Sequence, residues 1–365
     1  MIFIHPQLSA QLDAGALDGV HGALQAAIRL EHATIPPYLY ALYSLDQDRN
    51  TAAAAILRSV VHEEMTHLTM AANILNALGG HPALDRPSLL PRYPGPLPGT
   101  VEHGLAIGLA PFSIGLVRDT FMAIEEPEHP LDFAVPPAAG ITRDPDSAPG
   151  GDSAQPRTIG QFYRRIRDAV TTLGDGAFTG PPRLQVTTDL LPDIIAVTSV
   201  DTACQAIDTI IDQGEGTDKS PEETDGPDVA HYYRFAEVVY GHRLVPVPSA
   251  PPGAPVEQRY WYGGAPVPFD PAAVYAAPVN PAPVAYRAGS PVRRRACTNF
   301  NYTYTNLLKT LHATCNGEPD RLVPAIGIMM SLQEQAMGMM TGTTTGGVPT
   351  GPTFEWQPVN TKVLA

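Results

Sequence analysis

Apolar residues recur at intervals of three and four along most of the first 245 positions, the spacing of one face of an α-helix. A first helix is predicted over residues 15–35 from the stripe Leu17, Val20, Leu24, Ala27 and Ile28. The double proline Pro36-Pro37 then predicts a kink or break before a second apolar run at 38–45, because proline lacks the N–H that a helix interior needs.

The clearest helix of the chain is predicted over 51–78. An alanine-rich segment opens it, and Gly79-Gly80 closes it, since glycine readily adopts the left-handed conformation that ends helices. Further helices are predicted at about 111–126, 159–173, 193–213, 229–241, 300–315 and 320–341. The pattern therefore predicts an all-α protein.

The stretches between these helices lack periodicity and are rich in proline, which indicates long loops rather than a further domain. We predict three regions along the chain. They are a helical bundle at 1–245, an extended Pro-rich wrap at 246–299, and C-terminal helices with a tail that pack on the bundle at 300–365.

Composition narrows the classes of partner. The net charge of −14 and the pI of about 5.1 argue against nucleic acid or an anionic membrane as partner. No apolar run approaches the roughly 20 residues of a membrane span, and no secretory signal opens the chain, so we expect a cytoplasmic protein. Three widely spaced cysteines indicate neither a disulfide framework nor a cysteine-based metal site.

The most specific chemical signal is Glu64-x-x-His67, inside the 51–78 helix. Residues three apart lie above one another on a helix, so this spacing directs a carboxylate and an imidazole to one point. Four-helix bundles build di-iron and di-manganese centres from such pairs, together with single glutamates from other helices.

Other polar residues continue the apolar stripes of their own helices, so they also point inward: Glu31, Glu125, Glu215 and His231. Burying several carboxylates together is prohibitive unless cations neutralise them, and two divalent metals would do so. The second pair departs from the usual spacing, because Glu215 and His231 are separated by an acidic insertion. Whether they converge on Glu64 and His67 stays open at this point.

Each of these residues, taken alone, also has a simpler interpretation. A glutamate on an apolar stripe usually sits at a helix end, where its carboxylate reaches water. Glu31 precedes Pro36 and Glu125 precedes Pro127, so both fit that description. Glu63 falls off the stripe and is predicted to be solvated, and Tyr38 is predicted to serve packing. Joint occurrence on several helices favours the metal centre.

Several segments resemble the ferritin-like iminophenyl-pyruvate dimer synthase family, which includes a part of the larger enzymes of violacein- and rebeccamycin-type pigment pathways. The resemblance spans most of the chain and rests on 31–39 (EHATIPPYL), 63–68 (EEMTHL), 124–128 (IEEPE), 159–163 (IGQFY), 213–216 (QGEG), 231–235 (HYYRF) and 351–355 (GPTFE).

The resemblance implies a ferritin-like four-helix bundle with additional helices and long Pro-rich loops, and oxidative chemistry on small amino-acid-derived molecules. It also implies a metal-ligand set of Glu31, Glu64, His67, Glu125, Glu215 and His231. Glu64 and Glu125 are the candidate catalytic residues. We expect this chain to be a stand-alone version, without the long additional regions of the pigment enzymes.

The functional hypothesis is a non-haem di-metal oxidoreductase with two iron ions per chain, manganese being the alternative metal. It would use O2 or peroxide on a small substrate resembling an arylpyruvate imine, in specialised metabolism. The alternative is an iron-binding or storage protein without an organic substrate. A homo-oligomer is compatible with either hypothesis.

Overall fold

The computed structural model describes residues 10–12, 15–98, 105–136, 158–217, 220–221, 229–251, 253–287 and 289–358. Positions 1–9 lie outside these residues. The prediction that no secretory signal opens the chain concerns this segment. Most of the predicted 127–157 loop also lies outside them, from position 137 onward.

Helices dominate the described part of the chain. They are α1 (Leu17–Tyr43), α2 (Thr51–Ala77), α3 (114–124), α4 (Ile159–Leu173), α5 (Val200–Gln213), α6 (His231–Tyr240), α7 (Val256–Arg259), α8 (Pro283–Arg287), α9 (Pro291–Thr314) and α10 (Leu322–Met340). Two short strands, β1 (Val245–Pro246) and β2 (Tyr260–Trp261), pair antiparallel. The prediction of an all-α fold is confirmed.

Four of these helices form the central bundle. α1 packs along α2, α4 packs along α5, and the two pairs meet through α1 against α4 and α2 against α5. The predicted stripe of α1 lies in this core, where Val20, Leu24 and Ile28 are fully buried, whereas Leu17 at the helix start is exposed. α6 packs against α2 and α3 at the side of the bundle.

The chain does not break at Pro36-Pro37, where a kink or break was predicted, since α1 continues through both prolines to Tyr43. Pro37 removes the N–H that would bond the carbonyl of Ala33. That carbonyl instead accepts a hydrogen bond from the Tyr93 hydroxyl at 2.7 Å. A long-range partner thus replaces the missing helical donor, which no local pattern predicts.

α2 matches its predicted bounds. Gly79 has φ of 80°, and the N–H groups of Gly79 and Gly80 bond the carbonyls of Asn76 and Leu75. This pair of bonds is the Schellman motif. A residue in the left-handed conformation lets backbone N–H groups bond the last carbonyls of the helix, which have no partner within it. The glycine pair therefore fixes where α2 stops.

α3 is shorter than predicted and irregular. A π-helical stretch, Val117–Phe121, lies between single α-turns at Ile114–Leu116 and Met122–Ile124. Glu125 follows as the C-cap, with φ of −92° and ψ of 8°, outside the helical conformation. A π-turn widens the helix and shifts the direction of the residues after it, so the ending of α3 determines where Glu125 points.

α9 and α10 form a hairpin, and α10 also contacts α1. α9 begins at Pro291 rather than near 300. The division of the chain into three regions stays a prediction. None of the helices in the described part of the chain combines the length and the apolarity needed to cross a bilayer. The cysteines Cys204, Cys297 and Cys315 are all free thiols.

Candidate metal centre

Five of the six predicted ligands come together in the interior. Glu31 lies on α1, Glu64 and His67 on α2, Glu125 just after α3, and His231 at the start of α6. Each of these side chains is at most 4% exposed. The explanation that Glu31 and Glu125 reach water from helix ends is therefore wrong.

The five residues form two triads that share one carboxylate. Glu31, Glu64 and His67 make the first triad, and Glu64, Glu125 and His231 make the second. Within each triad the candidate ligand atoms lie within 4.8 Å of one another. Glu64 would therefore be shared by two metal ions if each triad held one.

One oxygen of each of the three carboxylates is held by a hydroxyl, which leaves the other oxygen directed into its triad. The hydroxyl bonds are Thr34 to Glu64 Oε2 at 2.5 Å, Tyr38 to Glu125 Oε1 at 2.6 Å, and Tyr163 to Glu31 Oε1 at 2.5 Å. Tyr38 was predicted only to pack, so the prediction missed the hydrogen bond that its hydroxyl donates. Such hydrogen bonds fix the orientation of metal-binding carboxylates.

The two imidazoles follow the same pattern. Nε2 of His67 lies 2.9 Å from Oε1 of Gln213, and Nε2 of His231 lies 3.0 Å from Oε2 of Glu63. Because both partners present an acceptor oxygen, each Nε2 carries the proton and each Nδ1 is left for a ligand.

Both Nδ1 atoms face the carboxylates of their own triads. Nδ1 of His67 lies 3.9 Å from Glu31 Oε2 and from Glu64 Oε1. Nδ1 of His231 lies 3.0 Å from Glu64 Oε1 and 3.6 Å from Glu125 Oε2. It nevertheless has no hydrogen-bond partner of acceptable angle among the described residues. A buried nitrogen in that condition fits a coordination position.

Glu63, predicted to be solvated, instead supports His231. Its carboxylate also receives Arg234, with Nη1 bonded to Oε1 at 3.0 Å and Nη2 to Oε2. Burial alone would raise the pKa of Glu63, but His231 and Arg234 lower it to about 2. The sequence offered one signal, since His231 and Arg234 lie three apart on α6 and face one side. It did not show which carboxylate they meet.

Burial and mutual repulsion shift the pKa values of the carboxylates in the two triads. Burial, followed by the charge of Glu64, raises the pKa of Glu31 and of Glu125 above the ordinary range. Burial would also raise the pKa of Glu64, but the hydrogen bond and charge of His231 lower it. A cation at the centre would relieve this repulsion between carboxylates.

The two imidazoles differ. Burial lowers the pKa of His67 to about 4, so its ring is neutral at physiological pH. Burial also disfavours the charged form of His231, but the nearby carboxylates of Glu125, Glu63 and Glu64 outweigh it and raise the pKa of this ring well above its usual value. In the metal-free protein the ring therefore carries a proton on Nδ1 as well, and a metal ion at that position would replace it.

The sixth predicted ligand, Glu215, lines the same cavity but belongs to neither triad. It accepts hydrogen bonds from the Gly160 backbone N–H and the Thr158 side chain, and burial raises its pKa to about 8. Its Oε1 is buried without a hydrogen-bond partner among the described residues. A Cβ on Gly160 would lie 2.6 Å from Oε2 of Glu215, so a larger residue there would displace this carboxylate.

The cavity between these groups is small, about 10 Å³, which is room for roughly one water molecule. Apart from the acidic groups and His67, its walls are uncharged: Ile159, Gly160, Tyr163, Ile210, Ile211 and Gly214. No lysine or arginine lines it within the described residues. Divalent cations would supply the missing positive charge, so the donor set fits a di-metal centre.

Comparison with known proteins identifies the family of the fold. A crystal structure of a ferritin-like protein from Caulobacter vibrioides is 23% identical in sequence, with a TM-score of 0.55, and the match covers 91% of this chain and 96% of that one. No curated protein sequence matches the chain. The ferritin-like family profile matches residues 24–240, more than half of the chain and all six predicted ligands. The protein therefore belongs to the ferritin-like family.

Proposed function

We propose that this protein is a di-metal oxidoreductase, with iron as the metal, that reacts with O2 or peroxide. One observation carries the proposal: five buried side chains each have one polar atom held by a neighbour and the other turned to a shared centre. Metal sites typically have ligands whose orientation is fixed in this way by neighbouring groups. Packing alone does not explain the arrangement.

In this proposal Glu31 and His67 would hold one ion, Glu125 and His231 would hold the other, and both ions would share Glu64. Glu215 completes the set from the cavity wall. The bound metals would supply the binding and reduction of the oxidant. Carboxylate and imidazole ligands suit iron, and also manganese.

The protein's own part is orientation and proton handling. Tyr38, Thr34 and Tyr163 keep the three carboxylates from rotating, so Glu64 and Glu125 present one oxygen each to the reacting centre. In the metal-free protein Glu215 carries a proton at neutral pH, because burial raises its pKa to about 8. If Glu215 ligates a metal, metal binding would release that proton.

The size of the cavity excludes the organic substrate. A space for roughly one water molecule does not hold an aromatic imino acid. We propose that a substrate resembling an arylpyruvate imine is oxidised from outside this cavity. The same observation favours the second candidate, an iron-binding protein that oxidises iron without an organic substrate.

The deciding experiment begins with metal analysis after anaerobic loading with Fe(II). We expect about two irons per chain in the wild type and loss of at least one in His67→Ala. His62→Ala is the matched control, because His62 lies on the same helix but is exposed. Absence of bound metal in the wild type would refute the proposal.

Loaded protein is then given O2 or peroxide, with and without an arylpyruvate plus ammonia. Consumption of the aromatic compound by wild type but not by His67→Ala supports the oxidoreductase. Iron oxidation that the aromatic compound leaves unchanged supports the iron-binding candidate instead.

A further inference from the structure

A second cavity, separate from the metal centre, lies between α9 and α10. Its volume is about 350 Å³, whereas the cavity of the metal centre has room for roughly one water molecule. Pockets that bind small organic ligands begin at about 300 Å³, so this space can hold a ring compound. Residues of α9, of α10 and of the turn after α10 line it: Ala296, Asn299, Tyr302, Thr303, Gln335, Met339 and Thr344.

The turn after α10 forms a wall of this cavity that the backbone holds in place. The N–H of Thr344 bonds the carbonyl of Gly338 at 3.0 Å, and the N–H of Gly347 bonds the carbonyl of Gly342 at 3.0 Å. A Cβ on Gly338 would lie 2.7 Å from Cγ2 of Thr344, so a larger residue there would push the wall away. The cavity is therefore bounded by fixed structure on this side.

Hydrogen bonds fix the amide of Gln335 on the α10 side of the cavity. Its Nε2 donates to Oγ1 of Thr303 at 3.0 Å and to Oγ of Ser331 at 3.1 Å, which uses both amide hydrogens. The Thr303 hydroxyl in turn donates to the carbonyl of Asn299 at 3.0 Å. Since Thr303 Oγ1 lies 3.5 Å from Oε1 of Gln335 and its proton is already used, this Oε1 remains an acceptor for a ligand.

The other lining groups supply donors and an apolar surface. The side chains of Asn299 and Thr344 make no hydrogen bond to the described part of the chain, so both can donate to a ligand. Tyr302 is 43% exposed and offers its ring, and Met339 adds a thioether. No charged side chain is among the described residues that line the cavity. An ionised ligand group would find no opposite charge there, so the lining favours an uncharged ligand.

We infer that this cavity binds an uncharged aromatic carboxamide. The ring packs against Tyr302 and Met339, which are the kinds of side chain that contact aromatic rings favourably. The amide N–H donates to Oε1 of Gln335, and the amide oxygen accepts from Asn299 or Thr344. A carboxamide carries a donor and an acceptor side by side, whereas a carboxylate of the same shape has two acceptors and would repel Oε1 of Gln335. The inference does not depend on the proposed metal chemistry.

Benzamide and benzoate test the inference, because they share ring and shape and differ in the polar edge. Each is titrated into the full chain and followed by saturation-transfer NMR. We expect a dissociation constant on the order of millimolar for benzamide, since so small a ligand gains limited binding energy, and binding of benzoate weaker by roughly tenfold or more. Equal binding of the two would overturn the inference. So would a preference for benzoate, which an arginine outside the lining, such as Arg295, would produce.

Variants locate the binding in this cavity. Gln335→Ala removes the acceptor and should weaken benzamide binding by roughly tenfold, and Ala296→Leu should abolish binding by filling the space. Gln333→Ala is the matched control, since Gln333 lies on α10 but does not line the cavity, and it should bind benzamide like the wild type. A cooperative circular-dichroism melt shows that each variant is folded. A wild type that does not bind benzamide, or folded variants of the lining that bind it unchanged, would overturn the inference.

Discussion

The two halves of the candidate metal centre contain similar ligands but are built differently. In the first half, Glu64 and His67 stand one turn apart on α2, joined by Glu31 from the neighbouring helix. In the second half, Glu125 follows an irregular helix and His231 begins another, far along the chain. A local spacing makes one half, and tertiary packing makes the other.

Their supporting groups differ in charge as well. His67 rests against the neutral amide of Gln213, whereas His231 rests against a carboxylate that Arg234 holds in place. A carboxylate behind an imidazole makes the ring a stronger ligand. The second half should therefore hold its metal more tightly, although its ligands are less evident in the sequence.

The largest effect is expected where the two halves meet. Glu64→Ala removes the shared carboxylate, so both ions should be lost, from about two per chain to nearly none. Glu31→Ala touches only the first half and should leave about one. Elemental analysis of the loaded variants measures both, with His62→Ala beside them. Retention of one ion in Glu64→Ala would show that the halves bind independently.

A second effect concerns Glu215, which belongs to neither half. Its folded pKa of about 8 is above the unfolded value, so between about pH 4.5 and pH 8 the unfolded state releases this proton first. The contribution of Glu215 to the stability of metal-free protein is thus present at low pH and lost as the pH rises, on the order of a few kcal/mol.

Urea unfolding of chelator-treated protein at several pH values measures this slope. Glu215→Gln should flatten it, since the amide does not titrate. An equally steep decline in the variant would assign the effect to other buried carboxylates, such as Glu31.

Glu63→Gln sharpens the electrostatic contrast between the halves. It removes the charge behind His231 while keeping the shape, so affinity for the metal of the second half should fall by about 10- to 100-fold. Gln213→Ala should weaken the first half less, because a neutral contact is lost. Competition with a chelator, followed by titration of the remaining metal, gives both values. Equal effects would contradict the contrast.

The smallest effect is expected from the hydroxyls. Tyr163→Phe should affect the first half and Tyr38→Phe the second, each by removing one hydrogen bond to a carboxylate, worth about 1.5–3 kcal/mol when the acceptor is charged. Chelator competition should detect a loss of affinity confined to the half concerned. Loss of both ions from either variant would mean that the tyrosine supports the whole bundle instead.

Much of the fold followed from periodicity. The bounds of α2 and α4 agree closely with prediction because each helix has a continuous stripe and a definite end signal, Gly79 for α2 and Gly174 for α4. The predicted break at Pro36-Pro37 did not occur, and a distant tyrosine supplies the hydrogen bond that Pro37 cannot make. The prediction failed along α3, whose π-turn has no periodic signature.

Among the residues of the candidate metal centre, too, some were predictable from the sequence and others were not. Glu64 and His67 were predictable because helical geometry alone brings them together. The supporting residues Glu63, Gln213 and Tyr163 were missed, because their roles depend on which helix lies opposite them. Glu215 was predicted from its stripe, yet it stands against Gly160 on the cavity wall rather than in either triad.

By itself, the sequence determined the helices, the inward direction of six ionisable side chains and the need for positive charge among them, because periodicity and desolvation act locally. Only the tertiary structure decided which atoms of those side chains meet. It did so by packing α6 against α2 and by directing Glu125 from the end of α3, since the positions of residues distant in sequence depend on how whole elements pack.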